Sequence, residues 1–366
     1  MLANRLLQPI KTANMKFFPE HWLYPPDWVI LGVNNACNLH CKMCDVGAGH
    51  KESNFYFNMM GARPLNMPRE LIFKIIDEAA TYFPKAKLGY SFTEPLIYPH
   101  LIESIRYAKL KRLYTALTTN AFRLKQMAAD LAHAGLDEVT VSLDGPPEIH
   151  NAIRGHERSF TGAFDGIKEI FEVKSRGLKV SVFCAVTEWN IGHLVRFADL
   201  FKSFPLSRLG FLHTNFTPPE VAGAHNALYG RLYPATISNM KEINVERMDL
   251  EALWREIKTL EARSLPFPVV FSPQIRDFQA LKDFYQRPGK FVGARCYDAF
   301  RLLMIKSDGS VMPAHSRCYK INAGNLHQQS LKDIWRSESI GRFRKTLAEA
   351  GGLLPACSRC CSAFSN

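Results

Sequence analysis

The sequence lacks any run of about 18 apolar residues, so a transmembrane helix is not expected. The opening segment, MLANRLLQPIKTANMKFFPEHW, has neither a long apolar core nor a small-residue cleavage site, which argues against a secretory signal. Compact runs of Lys and Arg are also missing, although these residues number 46 against 34 Asp and Glu, a net charge of +12. We therefore expect a cytoplasmic protein with a diffusely basic surface, suited to anionic partners but without a clear nucleic-acid groove.

Cysteine is not scarce: there are nine, and without an export signal they indicate free thiols or metal ligands rather than disulfides. Cys37, Cys41 and Cys44 stand together in "CNLHCKMC", and no fourth cysteine is near. Three thiolates can hold three irons of a [4Fe–4S] cluster and leave the fourth iron open for a ligand. The alternative is a structural zinc site, which needs four closed ligands, and only His40 and His50 stand nearby.

Apolar, β-rich runs alternate with amphipathic helical patterns from residue 28 onward. The runs lie at 28–33, 87–92, 113–119, 138–143, 179–186 and 208–213, and helical patterns at 68–83, 123–136 and 159–177 lie among them. This alternation predicts parallel βα units in an α/β fold, arranged as an open sheet or a partial barrel. In either architecture the functional residues are expected at the carboxyl edge of the strands.

The pattern changes after the sixth run. Residues 214–290 contain several prolines and show one clear helix, at 250–264. Further on, residues 300–314 predict a hairpin that turns at "SDGS", and residues 330–351 predict one helix capped by Ser330. We divide the chain into an N-terminal extension (1–27), a barrel (28–215), a bridging region (216–290) and a small cysteine-rich C-terminal domain (291–366).

The "CNLHCKMC" stretch resembles the cluster motif of radical S-adenosylmethionine (SAM) enzymes, although Met43 stands where the family often has an aromatic residue. The resemblance covers residues 28–215 and implies a partial (β/α)6 barrel of the TIM type. It implies that Cys37, Cys41 and Cys44 hold a [4Fe–4S] cluster whose open iron chelates the amino and carboxylate groups of SAM. Reductive cleavage of SAM would then give a 5′-deoxyadenosyl radical that abstracts hydrogen from a substrate.

Further stretches extend this resemblance to the SAM site. The family commonly has Gly-Gly-Glu-Pro after the second strand; this chain has Phe-Thr-Glu-Pro, which keeps Glu94 as an acceptor for the SAM ammonium but leaves less room near the backbone. "SLDGPPEIHNAIRG" is similar to the corresponding stretch of the family. It implies that Ser142 contacts the SAM ribose or carboxylate and that Arg154 contacts the carboxylate, with Asn120 and Asp144 as further candidates. Strand-end capping (Ser142, Asp144) and a surface ion pair (Arg154) are the structural alternatives.

Two other positions bear on the barrel interior. Cys184 lies within an apolar strand and is interpreted as a core residue. His213 and Asn215, at the end of the sixth run beside Thr214, are the catalytic candidates because they could face the substrate. A hydrogen-bonded structural role is the alternative for His213.

The C-terminal pattern of a cysteine, "DGSVMPAH", "GNL" and a final Cys-x-x-Cys resembles the SPASM/twitch extension, which implies an auxiliary [4Fe–4S] cluster. Ala314 stands where the family has a cysteine. We expect ligation by Cys296, Cys318, Cys357 and Cys360, with Cys361 as a bystander. His315 as a replacement ligand, and a zinc ribbon, are the alternatives.

The resemblance implies an enzyme of the oxidoreductase or transferase type that uses SAM and a one-electron donor such as flavodoxin or ferredoxin. Peptide-modifying relatives often carry an N-terminal recognition domain, for which about 27 residues before the first strand are too few. We therefore expect a small anionic molecule or a lipid precursor as substrate, altered by oxidation, epimerisation or carbon-skeleton chemistry. A radical SAM maturase of a peptide or RNA, and a zinc-dependent nucleic-acid-binding protein, remain the alternative functions.

Overall fold

The computed structural model describes residues 2–60, 64–173 and 177–364. Ten strands form one sheet: β1 Trp28–Leu31, β2 Lys87–Tyr90, β3 Tyr114–Thr119, β4 Glu138–Ser142, β5 Lys179–Val186, β6 Arg208–His213, β7 Val269–Ser272, β8 Leu302–Ile305, β9 Ser310–Met312 and β10 Gly324–Asn325. The helices are α1 Leu2–Phe17, α2 Asn54–Met59, α3 Arg69–Tyr82, α4 Leu101–Leu110, α5 Leu124–Ala134, α6 Pro147–Arg154, α7 Ser159–Val173, α8 Leu194–Asp199, α9 Pro219–Tyr229, α10 Leu250–Ala262, α11 Phe278–Gln286, α12 Asp298–Arg301, α13 Leu331–Trp335 and α14 Glu338–Glu349.

Strands β1 to β7 lie side by side in chain order and pair in parallel. All six predicted strands are present, and the predicted bounds of β5 and β6 are confirmed to the residue. The mixed α/β fold with a parallel partial barrel is therefore confirmed. Parallel pairing brings the carboxyl ends of the strands to one edge, where the loops after β1, β2, β3, β4 and β6 meet.

The bridging region is more regular than the sequence indicates. It contains α9, α10, β7 and α11 rather than a single helix. Strand β7 was missed because Pro268 and Pro273 flank it and none of its four residues is fully buried, so it shows no apolar periodicity. Its pairing with β6, Leu209 opposite Val269, extends the parallel sheet by a seventh strand.

The C-terminal segment shares the sheet. Strand β8 pairs in parallel with β1, and β9 returns antiparallel to β8, which confirms the hairpin at "SDGS". The single helix predicted at 330–351 is wrong, because the chain breaks it at Arg336 into α13 and α14. Ser330 caps α13, as predicted, and Ser337 supplies a second cap, accepting a bond from the Ile340 N–H at 3.4 Å.

Helix α5 ends at a glycine. Leu124, Ala128 and Leu131 face the core, and Gly135 ends the helix in the left-handed region at φ 85°, which glycine adopts without strain.

Cys184 is completely buried within β5, which places it in the core as expected. Among the helices that the structure describes, none combines the length and apolar character needed to cross a membrane.

Candidate active site

The first three cysteines occupy the loop that follows β1 at the carboxyl edge. They line an open cavity. The loop folds tightly because Gly47 passes over Cys41: a Cβ on Gly47 would lie 2.5 Å from the Cys41 nitrogen and oxygen. Any side chain at position 47 would therefore displace the thiol-bearing loop.

An acidic residue ties this loop to the bridging region. Asp45 is 1% exposed, and its carboxylate accepts hydrogen bonds from the Ser238 hydroxyl (2.6 Å) and from the Asn239 N–H (2.7 Å). Its Oδ1 also lies 3.1 Å from Nδ1 of His50. No feature of the sequence indicates this role, since Ser238 and Asn239 lie more than 190 positions from Asp45. Asp45 thus joins the cysteine loop, which includes His50, to the bridging region.

A side-chain amide and a guanidinium lie beside two of the three thiols. Asn120 Nδ2 lies 4.0 Å from the Cys37 sulfur, and Arg154 Nη1 lies 3.7 Å from the Cys41 sulfur. Burial raises the pKa of Cys41 to about 12, a shift that Arg154 partly opposes, and burial also raises the pKa values of Cys37 and Cys44. Buried thiols with donors aimed at sulfur can hold a thiolate-bound cluster, because the cluster supplies the charge that stabilises the thiolate form.

Glu94 reaches the cavity from the loop after β2. Its Oε1 accepts hydrogen bonds from the Leu96 N–H (3.0 Å) and the Thr119 hydroxyl (2.6 Å), and its Oε2 accepts one from the Asn120 N–H (2.8 Å). Burial raises the pKa of this carboxyl group, while the three donors favour its ionised form. A carboxylate has about four acceptor positions, so Glu94 keeps capacity for a further donor in the cavity.

Arg154 lies at the end of α6 and is 8% exposed. Its Nε donates to Oδ2 of Asp144, which is completely buried and whose Oδ1 accepts from the Ala185 N–H at 3.0 Å. Burial opposes ionisation of Arg154, but Asp144 beside it raises the pKa of the guanidinium. The surface ion pair considered as an alternative is therefore wrong; the pair is buried.

The predicted site residues divide into two groups. Glu94, Asn120, Ser142, Arg154 and Asn215 line the cavity together with the three thiols. His213 does not: it is 2% exposed, its Nδ1 lies 2.9 Å from the Tyr285 hydroxyl, and burial lowers its pKa to about 3. As a residue that faces the substrate, His213 is a wrong prediction, because its ring packs against Phe271, Phe284 and Tyr285 instead of lining the cavity.

Several further residues line the cavity that the sequence alone did not assign to it. Phe92 stands in the place of a family glycine and keeps the glycine-like backbone, at φ 89°. Asn239 adopts φ 53° in the bridging region, and His315 and Arg317 reach the cavity from the segment after β9. These residues are distant along the chain, and only the tertiary fold brings them together.

The C-terminal cysteines line a second cavity. Cys296, Cys318, Cys357 and Cys360 all face it, as does Ala314. Burial raises the pKa values of Cys296 and Cys318 well above the ordinary value, with the neighbouring thiols adding to the shift. Cys361 does not line this cavity, and its thiol is hydrogen-bonded to Cys360, which lowers the pKa of Cys360.

The described residues contain no group of three or more His, Cys, Asp or Glu side chains arranged to hold one metal ion. In an iron–sulfur cluster each thiolate binds a different iron, so its thiols need not converge on a single point.

Two family models match the chain. Residues 32–201 match the radical SAM superfamily, and residues 296–361 match SPASM, an iron–sulfur cluster-binding domain. The chain thus carries a radical SAM superfamily domain, followed by a SPASM domain at its C-terminal end, and is an enzyme. The radical SAM domain implies a [4Fe–4S] cluster and SAM as cofactors, and the SPASM domain implies an auxiliary iron–sulfur cluster.

Two curated relatives are similar to it. The tungsten-containing aldehyde ferredoxin oxidoreductase cofactor-modifying protein of Pyrococcus furiosus is 24% identical over 360 residues, covering 91% of this chain and 86% of the relative. Fe-coproporphyrin III synthase of Methanosarcina barkeri is 27% identical over 186 residues, covering 50% of this chain and 43% of the relative.

Solved structures share the fold. SuiB of Streptococcus suis bound to SAM aligns with a TM-score of 0.62 at 16% identity, covering 98% of this chain and 78% of that one. The anSMEcpe structure with bound AdoMet and the Cp18Cys peptide aligns with a TM-score of 0.57 at 19% identity, covering 88% and 83%. These likenesses concern the fold.

Proposed function

We propose that this enzyme cleaves SAM reductively and uses the resulting radical to abstract hydrogen from a small anionic molecule. One observation carries the proposal: a single open cavity at the carboxyl edge is lined by three clustered thiols together with Glu94 and Arg154. Thiolates suit iron, a carboxylate suits an ammonium, and a guanidinium suits a carboxylate, so the lining matches both a cluster and the methionine end of SAM.

Each residue has an assigned role in this proposal. Cys37, Cys41 and Cys44 hold three irons of the cluster. Glu94 accepts the SAM ammonium, and Arg154, whose Nε already donates to Asp144, turns its remaining N–H groups to the SAM carboxylate.

Further polar residues complete the SAM site. Asn120 orients the ligand beside Cys37, since its Nδ2 points at that sulfur and at Oδ1 of Asn38 (2.8 Å). Ser142 contacts the ribose or carboxylate, and Asn215 faces the substrate. When bound, the cluster and SAM supply one-electron cleavage of a C–S bond and a 5′-deoxyadenosyl radical.

We assign the auxiliary cluster to Cys296, Cys318, Cys357 and Cys360. All four line the second cavity, and burial, with the neighbouring thiols adding to it, raises the pKa values of Cys296 and Cys318, a cost that a bound cluster would relieve. Cys318 takes the place of the cysteine missing at Ala314, and Cys361 is a bystander. A one-electron donor such as flavodoxin or ferredoxin would reduce the enzyme.

The substrate class rests on two supports. Both curated relatives carry names that refer to small molecules, a cofactor in one and Fe-coproporphyrin III in the other. The net charge of +12 favours an anionic ligand. A peptide is the second candidate, because SuiB and anSMEcpe were solved with peptides bound.

The test begins with anaerobic reconstitution, iron counting and the assay of 5′-deoxyadenosine from SAM and dithionite. Wild-type protein should form 5′-deoxyadenosine, and a protein with Ala at all three first cysteines should not. Full turnover by that triple variant would refute the proposal. Small anionic candidates and unrelated peptides are then compared by deuterium transfer from substrate into 5′-deoxyadenosine, and transfer from peptides alone would replace the small-molecule assignment.

A further inference from the structure

The two cavities share a wall. His315 and Arg317 line both the open cavity of the first cysteines and the second cavity of the C-terminal cysteines. The wall is held in place by Asn58 of α2, whose Nδ2 donates to the carbonyl oxygens of Ser316 and Cys318, both at 2.8 Å. The segment 315–318 is therefore anchored to the helix that follows the first cysteine loop.

The charge balance of the open cavity singles out one side chain in this wall. Two arginines line the cavity, and Arg154 is paired with buried Asp144. Arg317 has no carboxylate at ion-pair distance within the described ranges; its guanidinium lies 5.9 Å from the Phe55 ring. The cavity's carboxylate, Glu94, already accepts three hydrogen bonds. The wall thus presents a guanidinium without a counter-charge.

His315 offers a second hydrogen-bond donor beside Arg317, the Nε2–H group of its neutral ring. Its Nδ1 accepts a hydrogen bond from the Arg317 N–H at 3.2 Å, which leaves the proton of the neutral ring on Nε2. The ring of Phe92 packs edge-on against His315, with centroids 5.9 Å apart, and fixes one side of the imidazole.

We propose that Arg317 and His315 form the anion-recognition site of this enzyme and bind a carboxylate or phosphate of the substrate at the wall between the two cavities. The inference rests on the proposed function and adds the residues that select the substrate. An anion held there would contact a segment of the SPASM domain while the rest of the ligand occupies the open cavity.

The experiment uses the reconstituted, SAM-saturated holoenzyme and two probes, radiolabelled inorganic phosphate and malonate, in equilibrium dialysis. Arg317→Gln removes a charge-assisted hydrogen bond, so at least one probe should bind roughly ten-fold more weakly or worse. Arg317→Lys should retain part of the affinity. Lys320→Gln is the matched control, because it removes the same charge from the same segment, where Lys320 stacks on Phe57 outside both cavities.

A carboxylate bound by Arg317 could belong to the substrate or to SAM. The dissociation constant of SAM, measured on each variant, distinguishes these two cases. Probe affinity lost in Arg317→Gln, with SAM affinity and iron content unchanged, supports the substrate site. Equal probe affinity in Arg317→Gln and Lys320→Gln, or a loss confined to SAM, overturns it. Formation of 5′-deoxyadenosine by the wild-type protein is assayed in the same preparations, so that the proposed function and the anion site are tested independently. If no 5′-deoxyadenosine forms, the proposed function is refuted, but the anion measurements remain valid.

Discussion

The two cysteine-lined cavities are built in opposite ways. The first takes its three thiols from one short loop after β1, and it is open and bordered by polar side chains from several strand ends. The second takes its four thiols from segments before α12, after β9 and near residue 360, and Phe216, Phe343 and Leu347 help to enclose it. A site assembled by one loop and left open suits a reaction with an incoming ligand, whereas a site assembled by the tertiary fold and enclosed suits a resident cluster.

The two cavities also differ in the charged and polar groups that lie beside their thiols. The thiols of the open cavity lie beside Arg154 and Asn120, which belong to the barrel. In the enclosed cavity, burial raises the pKa values of Cys296 and Cys318, and the neighbouring thiols add to the shift. Arg317 and Arg359 line this cavity, but the Arg359 guanidinium donates to backbone carbonyl oxygens and Arg317 also faces the open side. The enclosed set therefore depends on its ligand for charge compensation more than the open set does.

The largest expected effect comes from removing one set of thiols at a time. Ala at Cys37, Cys41 and Cys44 should abolish 5′-deoxyadenosine formation while about four irons per chain remain, because each [4Fe–4S] cluster holds four. Ala at Cys357 and Cys360 should remove the other irons and leave SAM cleavage measurable. Iron analysis with the 5′-deoxyadenosine assay checks both proteins, and loss of all iron in either would mean that the two sites do not load independently.

This contrast also explains what the sequence could predict. The first site was predictable because its thiols are local and because apolar runs such as 179–186 mark the strands whose ends surround it. His213 was mispredicted because a strand-end position does not reveal which way the side chain turns. Arg317 was missed because only the tertiary fold brings its segment to the open cavity, and Asp45 because its partners Ser238 and Asn239 lie far along the chain. Strand β7 was missed because it carries no apolar periodicity.

The next effect concerns the enclosed set and its missing cysteine. Cys318 and Ala314 both line the second cavity, so either position could present a thiolate to a cluster there. We expect Cys318→Ala to lose the auxiliary irons, about half of the total. We expect the double variant Cys318→Ala, Ala314→Cys to recover them.

Cys361→Ala is the matched control, because that thiol lies outside the cavity lining. It should leave the iron content unchanged. Retention of about eight irons by Cys318→Ala would remove Cys318 from the ligand set. If Ala314→Cys alone binds more iron than the wild-type protein, then the wild-type chain lacks the fourth ligand of the auxiliary cluster.

A smaller effect tests the open cavity. Glu94→Gln keeps the side-chain shape and acceptors for two of three donors but removes the charge, so SAM should bind roughly ten-fold more weakly while iron content is unchanged. Calorimetry on the anaerobic protein measures this change. Glu188→Gln is the control, since Glu188 also has a raised pKa from burial and lies outside the cavity. Equal SAM affinity in both variants would exclude Glu94 from the site.

The same variant has a pH dependence of known sign. Burial raises the pKa of Glu94 in the folded state, so its contribution to stability is complete below the unfolded value of about 4.3 and is lost as the pH rises through the folded value. The advantage in melting temperature of wild-type protein over Glu94→Gln should therefore be largest at acidic pH and shrink toward neutrality. An advantage that grows with pH would mean that the three donors outweigh burial.

The smallest effect should appear in the enclosed cavity, at Tyr319. Its hydroxyl lies 3.3 Å from the Cys357 sulfur and 3.5 Å from Nδ1 of His225. Nε2 of His225 lies 2.7 Å from the Tyr233 carbonyl oxygen, so it carries the proton, and Nδ1 already accepts from the Ala356 N–H at 3.4 Å. The Tyr319 hydroxyl hydrogen is therefore available to the sulfur.

A donor to a cluster-bound sulfur stabilises the reduced, more negative cluster and so raises its reduction potential. Tyr319→Phe should lower the potential of the auxiliary cluster by roughly 20–60 mV, the equivalent of one net hydrogen bond, with iron content unchanged. A redox titration followed by electron paramagnetic resonance measures this shift. Tyr233→Phe is the matched control, since its ring lies 5.9 Å from that of Tyr319 in the same aromatic cluster. If both variants shift the potential equally, packing and not the hydrogen bond sets it; if only the potential of the first cluster moves, Cys357 does not ligate the auxiliary one.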